Sequence, residues 1–414
     1  MVILMTSEIK SVAGGVCAAK GFKAAGIHAG LRKNKDKLDL ALIVADNECS
    51  AAGVFTTNRV FAAPVGVTRA HLKNGKARAI ICNSGNANAC VSDGYEKAEQ
   101  TCAALAEKLG CKADDIVVAS TGVIGISLPL EPLVAGIPTL IAELGSDEAA
   151  SDNAARAIMT TDTKKKKFAF ELTLGGKTVR IGGICKGSGM IQPNMATMLC
   201  FITTDAAITS ELLHKALSEV IRDTFNMVSV DGDTSTNDMV TVLASGLAGN
   251  DEITSDGEDY ETFKAALKQL CTCLCTAIAA DGEGTTKLVE CRIRNFSDEK
   301  SARILAKSVI NSSLVKTAIF GSDANWGRIL CALGYAGVDI DTDKIDVKFI
   351  SEKGEILVCE NGKGYPFSEE KAKEILLENR IVIDVDMKSG DISATAWGCD
   401  LSYEYVHING DYRS

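Results

Sequence analysis

The chain has little of several residue types on which specialised sites depend. Only 6 of its 414 residues are proline, aromatic residues make up 5%, and there are 4 histidines. None of the histidines lies near a cysteine in sequence, so no spacing typical of a zinc site is present. We therefore predict that the protein has no metal site.

A basic excess and a long apolar run are also missing. The net charge of −10 argues against nucleic acid as the main partner, because binding to phosphates requires a positive field. No apolar run approaches the roughly 20 residues of a membrane span, and the apolar start of the chain is too short for the core of a signal peptide. We expect a cytoplasmic protein with no nucleic-acid partner and no membrane partner.

The chain contains one basic run of lysines, and its cysteines are scattered. The one basic run, at residues 164–167, is short and isolated, so we predict a solvated turn or strand end rather than a binding patch. The 15 cysteines share no framework spacing, and three of them alternate within a stretch that is typical of a helix, at positions 271, 273 and 275. We expect buried, reduced thiols.

The pattern of apolar residues predicts a mixed α/β chain of two units. A helix is expected over residues 98–109 with Gly110 as its stop, followed by a strand over 115–120 that delivers Thr121 and Gly122 into a loop. Two apolar stripes with helical spacing follow, one capped by Ser210 and the other ending at residues 281–282. From about residue 290, apolar and polar residues alternate at 345–349, 356–358 and 381–385, and a helix is capped near Ser368.

The segment 186–200, KGSGMIQPNMATMLC, combines a Gly-rich turn with the start of an apolar strand. We predict that this strand begins at Thr197, which would place a threonine at the mouth of a sheet behind a loop that could be cut. If the bond between Ala196 and Thr197 is cleaved, Thr197 carries both a hydroxyl nucleophile and a free α-amine base. From these residues alone, an ordinary loop-to-strand junction is the favoured interpretation.

Further motifs occur in a fixed order along the chain. These are GVFTTN at 53–58, NSGNANAC at 83–90, STGVIG at 120–125, DGDTSTND at 231–238, GEGTTK at 282–287, DANWGR at 323–328 and the C-terminal residues 409–414, NGDYRS. Together with the segment 186–200, they closely resemble the ornithine acetyltransferase family, whose members are also called bifunctional glutamate N-acetyltransferases. The resemblance extends over almost the whole chain.

The resemblance implies an α/β fold with a layered αββα main domain, like that of N-terminal-nucleophile hydrolases, and a smaller C-terminal α/β domain. We place these domains at residues 1–290 and 291–414, with the C-terminal tail reaching the active site. It also implies self-cleavage between Ala196 and Thr197 into chains 1–196 and 197–414, which would assemble as an α2β2 heterotetramer.

The implied reaction is acetyl transfer from N2-acetyl-L-ornithine to L-glutamate in arginine biosynthesis, by a ping-pong mechanism through acetyl-Thr197. The resemblance assigns oxyanion stabilisation to the Thr121 hydroxyl and the Gly122 N–H. It assigns substrate contacts to Thr160, Lys186, Thr197, Glu283, Asn409 and Ser414. Lys186 suits a substrate carboxylate and Glu283 suits the ornithine side-chain ammonium. No cofactor is implied, and whether acetyl-CoA serves as a second acetyl donor stays open.

Two other classes of function remain as alternatives. An aminopeptidase or amidase on the related N-terminal-nucleophile fold would pass the acyl group to water, and a non-catalytic binding protein would neither cleave itself nor become acetylated.

The acidic segment 231–238 superficially suggests a cation loop, but Val242 stands where an EF-hand requires a closing glutamate. We expect this segment to support the active site or to cap a turn.

Overall fold

The structure is a computed structural model that describes residues 9–192 and 198–411. Within these ranges the chain forms strands in two sheets. The first sheet contains β1 (Lys10–Ser11), β2 (Phe22–Ile27), β3 (Leu40–Phe55), β4 (Lys76–Asn86), β5 (Ile116–Val123), β6 (Lys166–Leu174), β7 (Lys177–Lys186), β8 (Leu199–Thr204) and β9 (Met239–Ala244). The second contains β10 (Leu288–Phe296), β11 (Asp346–Ser351), β12 (Gly354–Glu360), β13 (Lys363–Gly364), β14 (Arg380–Asp386) and β15 (Ile392–Cys399).

Helices connect and cover these strands. They are α1 (Ala63–His71), α2 (Gly94–Leu109), α3 (Leu130–Ala142), α4 (Glu148–Ala157), α5 (Ser210–Asp223), α6 (Glu258–Ala279), α7 (Glu299–Asn311), α8 (Ser313–Phe320), α9 (Trp326–Gly334), α10 (Glu369–Leu376) and α11 (Tyr403–Asp411). In the described part of the chain, no helix combines the length and apolar character needed to cross a membrane.

The long strand β3 turns the first sheet into two layers. The order is β1-β6-β7-β8-β9-β3-β4-β5, with β2 also paired to β3. The first part of β3 pairs with β2 and β4, the pairing shifts between Val44 and Cys49, and the last part pairs with β9. Because β3 belongs to both halves, it allows one half of the sheet to pack over the other.

Alternating side chains show the layered arrangement directly. Leu199 and Phe201 of β8 share one apolar cluster with Ile80 of β4 and Val117 of β5, so this cluster lies between the layers. Cys200, between them in sequence, points to the opposite face, in the cluster that contains α5 and α6. The outer face of the other layer packs against α1, α2 and α3. The αββα architecture predicted from the resemblance is therefore present.

The C-terminal part forms a second α/β layer. Its sheet has the order β13-β12-β11-β14-β10-β15, with β10 and β14 parallel and the other pairs antiparallel. The alternating segments predicted at 345–349, 356–358 and 381–385 fall on β11, β12 and β14. Since β10 begins at Leu288, the proposed boundary after residue 290 lies inside its first strand, and the division into two domains stays a prediction.

Among the predicted helix ends, one start and one cap differ from the structure, since α2 begins at Gly94 rather than at residue 98. Gly110 follows α2 with a left-handed φ of +65°, the conformation that glycine adopts most readily. Ser368 accepts a hydrogen bond from the Lys371 N–H at 3.2 Å and caps α10. Ser210, however, is the first residue of α5, and the capping side chain is Thr209, whose Oγ1 accepts from the Leu212 N–H at 3.4 Å.

Two sequence-based expectations about single residue types are wrong in part. Lys166, inside the lysine run, is buried with a side chain only 2% exposed, because two carboxylates surround its ammonium. All the cysteines are free, and Cys271, Cys273 and Cys275 are buried on α6 as expected. Cys90 and Cys331 are exposed, so the prediction of uniformly buried thiols does not hold.

Candidate active site

Predicted site residues from both halves of the chain line a single cleft of about 220 Å³. They come from the end of β5, the segment after α4, the end of β7, the turn after α6 and the C-terminal helix α11. They are Thr121, Gly122, Thr160, Lys186, Glu283 and Asn409. Ala196, Thr197 and Ser414 lie outside the described residues, so the roles predicted for them stay predictions. The strand predicted to begin at residue 197 begins at Leu199.

The end of β5 forms one wall of the cleft. Thr121 pairs with Ser84 of the parallel strand β4 and is only 7% exposed. Gly122 has a φ of +134°, and a Cβ there would lie 2.3 Å from the carbonyl carbon of Gly85. Only glycine fits this position, where the two backbones approach closely. The strand continues to Val123, so these residues lie on the strand itself rather than in the predicted loop.

Lys186, the last residue of β7, provides the positive charge in the lining of the cleft. It is buried, and its Nζ donates to the Thr121 Oγ1 at 3.3 Å. Leu199, the first residue of β8, is its partner across the sheet. The pairing of β7 with β8 therefore places Lys186 close to the point at which the predicted second chain enters the described structure.

The buried Asp162 carboxylate binds backbone N–H groups of two segments of the cleft. Asp162 accepts from the Gly187 N–H at 2.7 Å and from the Thr160 N–H at 3.0 Å. Burial raises the pKa of Asp162, but the charges of Lys166 and Lys186 outweigh it and lower the pKa to about 2. Asp162 is therefore ionised at neutral pH, and it ties the Thr160 segment to the start of the Gly-rich turn.

Glu283 and Asn409 form another part of the cleft lining. The Glu283 N–H donates to the Ser188 carbonyl at 2.9 Å, and the Glu283 Oε2 accepts from the Asn409 Nδ2 at 2.8 Å. A Cβ at Gly189 would lie 2.4 Å from the Glu283 carboxyl group, so the glycine makes room for this carboxylate. Through this contact, α11 reaches the cleft from the C-terminal part of the chain.

The acidic segment 231–238 supports the Gly-rich turn. Asp231 accepts from the Met190 N–H at 2.6 Å and from the Ile191 N–H at 2.8 Å. Tyr405 donates its hydroxyl to Asp231 at 3.3 Å, and burial followed by the charge of Asp231 raises the pKa of that hydroxyl. The described residues contain no group of three or more His, Cys, Asp or Glu side chains suited to a metal ion.

The sequence matches a known family along nearly its whole length. The model of the ArgJ family matches residues 23–414. The chain is 50% identical over 394 residues to the arginine biosynthesis bifunctional protein ArgJ 1 of Clostridium acetobutylicum, covering 95% of this chain and 96% of that one. The chain belongs to the ArgJ family.

Two solved structures are similar to parts of the chain. The ArgJ crystal structure from Bacillus halodurans is 45% identical with a TM-score of 0.49, and covers 51% of this chain and 98% of that chain. The second is the ornithine acetyltransferase of Mycobacterium tuberculosis in complex with ornithine, which is 40% identical with a TM-score of 0.42. The match covers 45% of this chain and 100% of that chain.

In this ArgJ-family chain, the sequence reasoning missed the charged residues beneath the cleft. The buried Lys166 donates to both Asp162 and Asp281, yet Asp281 is more than a hundred residues from the other two in sequence. The available signal is the spacing of Asp162, four residues before Lys166, the first residue of β6.

A second missed residue is Asp238, just before β9. It is 2% exposed, and its Oδ2 has no hydrogen-bond partner within the described ranges. Burial raises the pKa of this carboxyl well above its usual range.

Proposed function

We propose that this enzyme transfers the acetyl group of N2-acetyl-L-ornithine to L-glutamate, giving L-ornithine and N-acetyl-L-glutamate in arginine biosynthesis. The observation that carries the proposal is the cleft of an ArgJ-family chain, which is lined by one cation, Lys186, and one carboxylate, Glu283. The name of the relative from Clostridium acetobutylicum, an arginine biosynthesis bifunctional protein, supports the same pathway.

The charges of the cleft match those of the donor. Acetylornithine carries an α-carboxylate and a side-chain ammonium, and its α-nitrogen is neutral because it is acetylated. Lys186 binds the carboxylate and Glu283 binds the ammonium through charge-assisted hydrogen bonds. Thr160, Asn409 and Ser414 add neutral hydrogen bonds, and Asn409 also orients Glu283 through the bond at 2.8 Å.

The nucleophile in this proposal is Thr197. It precedes Met198, whose carbonyl accepts from the Met239 N–H at 2.9 Å as β8 begins beside β9. An N-terminal α-amine has an unperturbed pKa of about 7.7–8.0, against about 10.4 for a lysine, so it is partly neutral at cytosolic pH. The α-amine of Thr197 can therefore act as the general base for its own hydroxyl.

The two half-reactions follow from this pair of groups. Thr197 Oγ attacks the acetyl carbonyl and its proton passes to the α-amine. The tetrahedral intermediate then breaks its C–N bond as the amine returns the proton to the departing ornithine nitrogen. In the second half, the neutral amine of glutamate attacks the acetyl ester and passes a proton to the α-amine. The α-amine returns the proton to Thr197 Oγ as the C–O bond breaks and N-acetylglutamate leaves. The Thr121 hydroxyl and the Gly122 N–H stabilise both oxyanions.

The same hydroxyl creates the mature enzyme. Thr197 Oγ attacks the carbonyl of Ala196 in an N→O acyl shift, and hydrolysis of the ester yields chains 1–196 and 197–414. The strands of the two proposed chains are interleaved in one sheet, since β8 and β9 lie between β7 and β3. The chains therefore stay together after cleavage, and we propose an α2β2 heterotetramer as their assembly.

The proposed reaction needs only its substrates and takes place inside the cell. No resident cofactor takes part, and acetyl-CoA serves as a second acetyl donor for glutamate, in keeping with the word bifunctional in the name of the relative. The compartment is the cytoplasm, where the free thiols of all the cysteines are stable.

A product assay tests this function. The purified enzyme is incubated with acetylornithine and glutamate, with acetylornithine alone, and with acetyl-CoA and glutamate, and the products are measured by mass spectrometry. The proposal predicts N-acetylglutamate in the first and third mixtures. Fast release of acetate from acetylornithine alone, with no N-acetylglutamate in either mixture, would indicate an amidase instead.

A further inference from the structure

Lys166 joins the charged residues beneath the cleft. Its Nζ lies 2.6 Å from Asp162 Oδ1, 2.6 Å from Asp281 Oδ2 and 3.3 Å from the Lys164 carbonyl. The three hydrogens of a lysine ammonium therefore each have an acceptor. Burial lowers the pKa of Lys166, but the two carboxylates outweigh it and raise the pKa, so the side chain stays charged.

Each of the two carboxylates holds a different part of the cleft. Asp162 binds the backbone N–H groups of Thr160 and Gly187. Asp281 accepts from the Thr163 N–H at 3.1 Å, and its own carbonyl accepts from the Ser188 hydroxyl at 2.7 Å. Lys166 therefore links the segments that carry Thr160, Lys186 and Glu283.

The charge balance gives Lys166 a second effect. Lys166 and Lys186 both act on the buried Asp162 carboxylate, because Lys166 binds it and the charge of Lys186 also lowers its pKa. Without Lys166, Asp162 Oδ1 would lose an ammonium partner and be open to Lys186. Lys186 would then be drawn away from the cleft, and its charge would be less available to a substrate carboxylate.

We propose that Lys166 is a positioning residue for acetyl transfer. By occupying Asp162 and Asp281, it keeps the Lys186 ammonium available for the substrate carboxylate and fixes the segments that carry the binding residues. This inference rests on the proposed function, because it assigns Lys186 to that carboxylate.

The test compares Lys166→Met with the same change at its neighbour. Lys165 pairs with Asp152, and its side chain is 39% exposed, so Lys165→Met is the matched control. We expect Lys166→Met to raise KM for acetylornithine and for glutamate about tenfold, the usual scale for a charge-assisted hydrogen bond, with a much smaller change in kcat. Lys166→Arg, which keeps the charge, should recover most of the loss, and Lys165→Met should behave as the wild type.

The double variant Lys166→Met/Asp281→Asn separates this role from a role in folding. It removes one charge of each sign, so we expect it to restore the thermal stability that Lys166→Met loses, while KM stays raised because Asp162 is still without its ammonium. A KM that returns to the wild-type value together with stability would overturn the inference. A double variant that fails to fold would overturn it as well, because the cluster would then be required for folding.

The wild-type enzyme distinguishes this inference from the proposed function. A wild type that does not form N-acetylglutamate contradicts the function itself. A wild type that forms it, next to a Lys166→Met enzyme with unchanged KM, contradicts only the inference about Lys166.

Discussion

Thr121 and Lys186 illustrate how single residues acquire roles from their neighbours. The contact between Lys186 Nζ and Thr121 Oγ1, at 3.3 Å, uses one lone pair of the hydroxyl. Because the hydroxyl oxygen accepts this bond, its hydrogen is available to donate elsewhere. In the proposed mechanism that donor is directed at the oxyanion.

Replacing Thr121 with valine tests this role. The change keeps the shape and removes the donor, and we expect kcat to fall about 10²–10³-fold with a modest change in KM. Thr121→Ser, which keeps the hydroxyl, is the control and should retain most of the activity. Steady-state kinetics of both variants decide the matter, and a valine variant with the kcat of the wild type would remove Thr121 from oxyanion stabilisation.

The carboxylate of Glu283 gives a second residue-scale prediction. Loss of a hydrogen bond to a charged group costs about 1.5–3 kcal/mol, so Glu283→Gln should raise KM for acetylornithine roughly 10–100-fold. KM for glutamate should not rise, because glutamate has no side-chain ammonium.

Initial rates with each substrate varied in turn check this difference. Glu404→Gln is the control, since Glu404 lies on the exposed side of α11. An equal rise in both KM values would mean that Glu283 does not recognise the ammonium.

At the scale of elements, local patterns identified what depends on local physics. The apolar stripe from Phe263 to Ile278 predicted α6, because a helix that packs one face against a sheet repeats apolar residues every three or four positions. The stop at Gly110 and the cap at Ser368 were also found, since both depend on neighbours within a few residues.

What the sequence could not give were features that depend on residues far apart. The burial of Lys166 requires Asp281, and nothing in a lysine run indicates a partner beyond α6. The continuation of β5 through Gly122 depends on Gly85 of β4, which only the paired sheet brings near. The six cleft residues were found through family motifs, because their individual spacing is uninformative.

The Gly-rich turn leads to an element-scale prediction about processing. Asp231 holds the Met190 and Ile191 N–H groups just before the cleavage site, so Asp231→Ala should slow the conversion into two chains about tenfold, as expected for loss of hydrogen bonds to a charged group. Asp233→Ala, two residues away, is the control. The fraction of cleaved chain is followed over time on denaturing gels, and equal rates in the two variants would contradict a role for Asp231.

At the scale of the whole molecule, the ion cluster makes stability depend on pH. The folded pKa of Asp162, about 2, lies below the ordinary aspartate pKa of 3.8. A lowered carboxyl pKa stabilises the fold fully above the unfolded pKa, and this contribution is lost as pH falls from about 4 towards 2. The raised pKa of Lys166 acts at the other extreme, where its contribution is lost as pH rises through the folded pKa.

Asp162→Asn measures the acidic part of this dependence. The pKa difference corresponds to about 2 kcal/mol of unfolding free energy at neutral pH. We expect the stability difference between wild type and variant to be constant from neutral pH down to about pH 5 and to shrink below about pH 4. Urea unfolding across this range checks it, and a difference that does not vary with pH would show that Asp162 acts only through neutral hydrogen bonds.

The most direct test of the central claim is an intact-mass spectrum under denaturing conditions, taken before and after brief incubation with acetylornithine and no glutamate. The proposed mechanism predicts two chains that divide between Ala196 and Thr197, with one acetyl group added to the second chain after incubation. A later addition of glutamate should remove that group. A single chain without acetyl groups, from protein that forms N-acetylglutamate, would show that Thr197 is not the nucleophile.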